Sequence, residues 1–160
     1  MPDGLENIVV ALLIERGMTL ATAESCTGGL LAKLLTDVPG ASSVYPGGVV
    51  AYCAQSKASL LSVDPGLIIE KGAVSREVAI AMADGARNSL GADIGLAITG
   101  IAGPGSDDSG TAPGTVFIAL SSNEHSYCVK LSLIGDRNSV RTASASYALD
   151  MVRNMIVEFE

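Results

Sequence analysis

The run Glu24-Ser25-Cys26-Thr27-Gly28-Gly29 places a hydroxyl, a thiol and a second hydroxyl ahead of two glycines. At a strand-to-helix turn, such a group sits beside the unpaired N–H groups and the partial positive charge of a helix N-terminus. Those donors stabilise the oxyanion that forms when a nucleophile attacks a carbonyl. Gly28 and Gly29 let another group approach the backbone closely. A plainer role competes, because Ser25 or Thr27 also suits a helix cap. Cys26 is a rival nucleophile if the helix lowers its pKa. Cysteine is also among the most often buried residues, and burial is the expectation for Cys26. The run is not G-x-S-x-G, so a hydrolase elbow is not expected.

A serine nucleophile needs a base. The sole histidine, His125, falls in a polar turn between two strands, so a Ser-His-Asp triad is not expected. A desolvated lysine does the same work, because burial lowers its pKa toward neutrality. Lys57 follows a strand end closely; its alternative is an ordinary surface cation on a helix. Tyr52, five residues earlier, either shares the proton relay or packs at the strand terminus. Thr99-Gly100-Ile101-Ala102-Gly103-Pro104-Gly105 is a glycine-rich loop whose N–H groups can cradle a phosphate. It lacks the Lys-Ser/Thr of a P-loop and the GxGxxG spacing of a dinucleotide fold. Asp107 and Asp108 are expected to face solvent. Cys26, Cys53 and Cys128 are widely spaced without CxxC, so neither a metal site nor a cofactor is expected.

Apolar positions and breakers predict the elements that carry these residues. Leu5, Ile8, Val9, Leu12 and Leu13 mark an amphipathic helix stopped by Gly17. A strand is predicted over 18–23, then a helix through Leu30, Leu31, Leu34 and Leu35 ending before Pro39-Gly40. A second strand over 49–53 leads at once into a helical stretch over 56–61, broken by Asp64-Pro65-Gly66. Ser75 caps a helix with Val78, Ala79, Met82, Ala83, Ala86 and Leu90 inward, closed by Gly91. Residues 94–99 form a buried parallel strand. Residues 115–120 and 127–133 form an antiparallel hairpin about a polar turn. Gly135-Asp136-Arg137 opens a last helix that runs to Phe159. Strands alternating with helices, plus one hairpin, predict an α/β fold: a three-layer α/β/α sandwich on a mixed, mostly parallel five-stranded sheet. Ligands of such folds bind beyond the carboxyl ends of the parallel strands, where the three polar segments begin.

At 160 residues the chain is predicted to form one domain, residues 1–160. The core rests on aliphatic residues, since aromatics make up only 4%. Ten Lys and Arg against 17 Asp and Glu give a net charge of −7. That surface repels nucleic acid and anionic membranes, and neither is expected as a partner. The longest wholly apolar run, residues 8–14, is seven residues, against roughly 20 needed to span a bilayer. The acidic start is unlike a signal peptide, so a cytoplasmic protein is expected. Few charges and abundant Ala and Val lead to an expected homo-oligomer, a dimer or larger closed assembly.

Several segments recur together in one known family. Ala23-Glu24-Ser25-Cys26-Thr27-Gly28-Gly29, Tyr52 with Lys57, Gly72-Ala73-Val74-Ser75, Thr99-Gly100-Ile101-Ala102-Gly103-Pro104, Gly114-Thr115-Val116, Gly135-Asp136-Arg137 and Arg141 stand in its order and spacing. The chain resembles the CinA (competence/damage-inducible) family in its stand-alone C-terminal domain form. The resemblance implies a nicotinamide-nucleotide amidase, which hydrolyses nicotinamide mononucleotide to nicotinate mononucleotide and ammonia. It implies Ser25 as nucleophile and Lys57 as base, with Tyr52, Thr99 and Arg141 also at the site. The expected substrate-binding set is Glu24, Thr27, Gly28, Gly29, Thr99, Gly100, Gly103, Arg137 and Arg141. Arg137 and Arg141 lie one turn apart at a helix start, suited to a phosphate. Arg137 suits a pairing with Asp136 equally, so Arg141, which the resemblance supports, is the expected phosphate ligand. One departure stands out: Thr111 occupies the position where the family carries a loop lysine. A nucleotide-binding module of the same fold, without turnover, is the alternative expectation.

Overall fold

The computed structural model describes residues 4–158. The chain opens with α1 (Leu5–Arg16), β1 (Leu20–Glu24) and α2 (Leu30–Thr36), and a 3-10 turn at Ala41–Ser43 leads to β2 (Gly47–Val50). Three helices follow: α3 (Ala54–Leu61), α4 (Pro65–Lys71) and α5 (Arg76–Leu90). Ser75 starts α5, its Oγ accepting the Val78 N–H at 3.3 Å. Then come β3 (Ile94–Gly100), the hairpin β4 (Thr115–Ser121) and β5 (Ser126–Ser132), and α6 (Arg137–Glu158). Phe159 and the first three residues, on which sequence expectations also fall, lie outside the described residues.

The sheet order is β2-β1-β3-β4-β5. β1 pairs in parallel with β2 and β3, while β3·β4 and β4·β5 are antiparallel. Only β4 is reversed relative to the rest. The carboxyl ends of β1, β2 and β3 therefore share one edge of the sheet, where a crevice opens.

Side chains alternate across the strands. Ile94, Leu96 and Ile98 of β3 join α1, α2 and α6 in one core, with Leu13, Leu31, Leu35, Leu149 and Ile156. The opposite face is built from small residues: Ala21 and Ala23 of β1, Ala97 of β3 and Ala119 of β4 lie under Met82, Ala83 and Ala86 of α5. Small side chains let α5 settle close to the sheet. A Cβ on Gly95 would stand 2.0 Å from the Ala83 carbonyl oxygen, and one on Gly85 would stand 2.1 Å from that of Leu61. Helices thus cover both faces, and the three-layer α/β/α arrangement holds.

Strand ends shift by one or two residues, as with β1 at Leu20–Glu24 against an expected 18–23, and two departures are larger. β2 ends at Val50 rather than at residue 53. Its pairing with β1 runs from Ala21↔Gly47 to Glu24↔Val50, beyond which the Ala51 N–H still reaches the Glu24 carbonyl. Cys53 instead starts α3, its N–H donating to Ser56 Oγ at 3.2 Å. The Asp64-Pro65-Gly66 breaker also begins a helix, α4. Asp64 Oδ1 accepts the Gly66 N–H at 2.8 Å, and Pro65 occupies the first turn, where its missing N–H costs nothing.

Candidate active site

Ser25 stands one residue past β1. Its N–H extends the sheet by donating to the Ile98 carbonyl at 2.9 Å, and its carbonyl accepts the Gly28 N–H at 3.0 Å. Gly28 (φ 58°) and Gly29 (φ 98°) carry the chain into α2 through left-handed conformations that only glycine adopts readily. Among the described residues the Cys26 and Thr27 amides have no protein acceptor. Two N–H donors are thus left over on the serine's own turn.

Lys57 arrives from α3. Its side chain is only 2% exposed, yet among the described residues it pairs with no carboxylate. Nζ donates to the Ala51 carbonyl at 3.0 Å and to Ser25 Oγ at 2.9 Å. Burial pushes the Lys57 pKa below its ordinary 10.5, with nearby Cys53 and Cys26 opposing weakly. Burial has the opposite consequence for Cys26, whose thiol is pushed up to about 11. At neutral pH Cys26 is a protonated, poorly nucleophilic thiol, whereas the Ser25 hydroxyl has an amine nitrogen in contact.

The dyad opens into a cavity of about 300 Å³. Its walls include Tyr52, Cys53 and Ala54 from the turn into α3, Ala73 and Val74 ahead of α5, and residues 99–103 after β3. Ser106, Asp107 and Arg137 close the remaining side. Thr99 is buried, its Oγ1 donating to the Ala73 carbonyl at 2.8 Å and so tying two walls together. Arg137 spans the mouth, donating to the Gly103 carbonyl at 2.8 Å and to the Tyr52 hydroxyl at 2.7 Å. Tyr52 is 60% exposed, and its hydroxyl goes to Arg137 rather than to the dyad.

Of the expected site residues, Ser25, Tyr52, Lys57, Thr99, Gly100, Gly103 and Arg137 line the cavity; Glu24, Thr27, Gly28, Gly29 and Arg141 do not. Glu24 is buried and its two oxygens accept the Leu31 and Ala32 amides of α2. Arg141 lies behind the turn, donating to the Thr27 carbonyl at 2.9 Å. Among the described residues the buried Thr27 Oγ1 has no hydrogen-bond partner. Asp136 does not hold Arg137: its Oδ1 caps α6 by accepting the Ser139 N–H at 2.8 Å, and these bonds pull its carboxyl below the usual range.

The expected site set omitted several lining residues, among them Ala73, Val74, Cys53 and Asp107. Yet Ala73 and Val74 stand in a segment that carries the family resemblance, and Cys53 follows Tyr52 in a segment expected at the crevice. Ala73 contributes a backbone carbonyl and so leaves no side-chain signal. Asp107, expected in solvent, is half-buried instead. Its Oδ1 accepts the Ser109 N–H at 3.0 Å, the Ser109 hydroxyl at 2.7 Å and the Thr111 N–H at 2.8 Å. Thr111 is therefore part of the loop's internal bonding. Among the described residues no three His, Cys, Asp or Glu side chains gather as metal ligands, and no helix is long and apolar enough to cross a membrane.

A larger groove of about 650 Å³ lies at the opposite end of the sheet, between β5 and α6. It contains His125 but neither member of the dyad.

Comparison with known proteins places this geometry in context. Residues 2–156 match the family described as the CinA C-terminal domain. A CinA-like protein of Frankia casuarinae is 49% identical over 96% of this chain, which covers 35% of that protein. A putative competence-damage inducible protein of Caldanaerobacter subterraneus is 47% identical over 96% of this chain, covering 37% of its own length. The chain thus spans little more than a third of these relatives. Among solved structures, a CinA superfamily protein from Klebsiella pneumoniae superposes with a TM-score of 0.94 at 32% identity, covering 96% of both chains. One from Escherichia coli gives 0.88 at 35% identity, covering 96% of this chain and 90% of the other.

Proposed function

The chain belongs to the CinA C-terminal domain family, and we propose that it hydrolyses the carboxamide of nicotinamide mononucleotide to nicotinate mononucleotide and ammonia. The observation that carries this reading is the buried Lys57 Nζ, 2.9 Å from Ser25 Oγ. A lysine with no carboxylate partner, in contact with a hydroxyl at a cavity wall, has the makings of a general base.

Neutral Lys57 accepts the Ser25 proton as Oγ attacks the amide carbon. The two electrons of the carbonyl π bond move to oxygen, and the Cys26 and Thr27 amides are the donors at hand for that oxyanion. Collapse breaks the C–N bond. The Lys57 ammonium returns its proton to the departing nitrogen, which leaves as ammonia, and an ester to Ser25 remains. Water then gives a proton to Lys57 and attacks the ester. The Ser25 oxygen departs and recovers that proton, releasing the carboxylic acid, which ionises. Arg137 is the cation at the cavity mouth for the phosphate, its guanidinium retaining N–H groups beyond the two engaged with Gly103 and Tyr52.

A non-catalytic nucleotide-binding module remains the rival, favoured by the Asp107–Thr111 loop in place of a lysine-bearing one. Ammonia release from nicotinamide mononucleotide by the purified chain separates the two. The amidase reading expects multiple turnovers, lost in Ser25→Ala and largely kept in Cys26→Ser. Saturable binding without ammonia would establish the module instead.

A further inference from the structure

We propose that Glu24 is a positioning residue that straps the nucleophile turn in place, rather than a ligand of the substrate; its catalytic consequence rests on the reading of Ser25 as nucleophile. The N-terminus of α2 follows Gly29, which has no side chain with which to cap it. The second and third amides of the helix, Leu31 and Ala32, instead find their acceptors on a residue several positions upstream. Glu24 Oε1 accepts the Leu31 N–H at 2.8 Å and Oε2 accepts the Ala32 N–H at 3.0 Å. Both bonds are charge-assisted, and the helix dipole favours an anion there. Glu24 does not line the cavity, and both its carboxylate oxygens are engaged by α2 amides.

Its backbone, by contrast, belongs to the sheet. Glu24 pairs with Val50 on one side and Ile98 on the other, and its carbonyl accepts the Ala51 N–H at 2.8 Å. The same residue therefore grips the sheet with its main chain and α2 with its carboxylate. Between the two grips lie residues 25–29, containing the Ser25 hydroxyl, the unpaired Cys26 and Thr27 amides, and two glycines. Without the strap, Gly28 and Gly29 have many other conformations to visit. The carboxylate also fills the anion-binding end of α2, which leaves that helix unavailable to a substrate phosphate.

The geometry makes the carboxylate hard to replace. Glutamine offers one oxygen, and its NH2 would confront the second amide donor; aspartate is one methylene short. We therefore expect Glu24→Gln to lower kcat for nicotinamide mononucleotide about 10- to 100-fold while KM stays within about threefold, because the loss is in alignment rather than binding. Glu24→Asp is the second variant, in case the first folds poorly. Asp64→Ala removes the cap of α4 at a residue that does not line the cavity, and should leave kcat unchanged. Amide hydrogen exchange supplies a readout independent of turnover: residues 26–33 should exchange about tenfold faster in the Glu24 variants relative to β3. A kcat per folded molecule within about threefold of the parent, or exchange at 26–33 that changes no more than in β3, would overturn the proposal. If the parent protein releases no ammonia, the amidase reading fails and exchange alone decides the role of Glu24.

Discussion

Under the proposed mechanism Lys57 must give up its proton before it can take one from Ser25, so the sign of the pH dependence is fixed. The rate should rise with pH and level off at a midpoint below 10.5, the ordinary lysine value from which burial has moved it. Stability follows the same direction. Between the lowered folded pKa and 10.5 the unfolded chain binds more protons than the folded one, so this group's contribution to stability increases with pH across that window. Lys57→Arg keeps a cation that cannot deprotonate near neutrality and should be inactive at every pH in the profile. A pH–rate curve for Lys57→Arg matching the parent's would remove Lys57 from the base role. A lysine just past a strand end is legible in sequence, because its setting already suggests unusual chemistry. The partner of Tyr52 is not: Arg137 lies 85 positions away, and no local pattern joins them. Glu24 is equally opaque, since the destination of its carboxylate depends on the angle at which Gly28 and Gly29 turn the chain.

Elements were readable wherever a periodic apolar face met a strong breaker, as in α5 between Ser75 and Gly91. They were misread where polar residues did two jobs. Asp64-Pro65-Gly66 ends one helix and caps the next, and α4 buries no side chain, so its apolar pattern is faint. Close approach between elements is another property invisible in periodicity. Gly85 sits inside α5, where alanine would ordinarily gain about 1 kcal/mol of helix propensity. Its added methyl group would stand 2.1 Å from the Leu61 carbonyl oxygen at the end of α3. Backbone cannot rotate aside as a side chain does, and overpacking of this kind costs on the order of 1–3 kcal/mol or more. Gly85→Ala should therefore be destabilised by about 2 kcal/mol in urea unfolding. A raised midpoint would mean that α3 and α5 slide apart freely.

At the scale of the whole molecule, the net charge of −7 works against an anionic substrate, and a local cation has to overcome it. The two effects respond differently to salt. Raising ionic strength from about 0.01 to 0.15 M shortens the Debye length from about 30 to 8 Å. Long-range repulsion is screened, while a contact at Arg137 is screened far less. For nicotinamide mononucleotide, kcat/KM should hold level or rise by up to about twofold across that range. For the phosphate-free riboside, a cation, it should fall. Steady-state rates on both substrates check this, and a steep fall with the mononucleotide would point to a cationic field that the composition does not contain. The fold class was legible from the order of elements alone. The second core was legible only on its α5 side, because helical period marks the inward face from Val78 to Ala86 but nothing marks Ala21, Ala23, Ala97 and Ala119 of the strands as facing it.

The dyad is spaced by sheet register. Ser25 follows β1, Lys57 is held by the carbonyl of Ala51, and Ala51 hangs from Glu24 just beyond the last β1–β2 pair. One residue gained or lost between Gly47 and Lys57 would shift β2 against β1, or turn α3 by about 100°. Either change carries the amine away from the hydroxyl. Within α4, residues 65–71, the constraint is looser, since that helix fully buries no side chain. Across descendants of this chain, length should therefore drift more readily in the second interval and stay frozen in the first. Evolution can edit the words of the first interval, but not its syllable count.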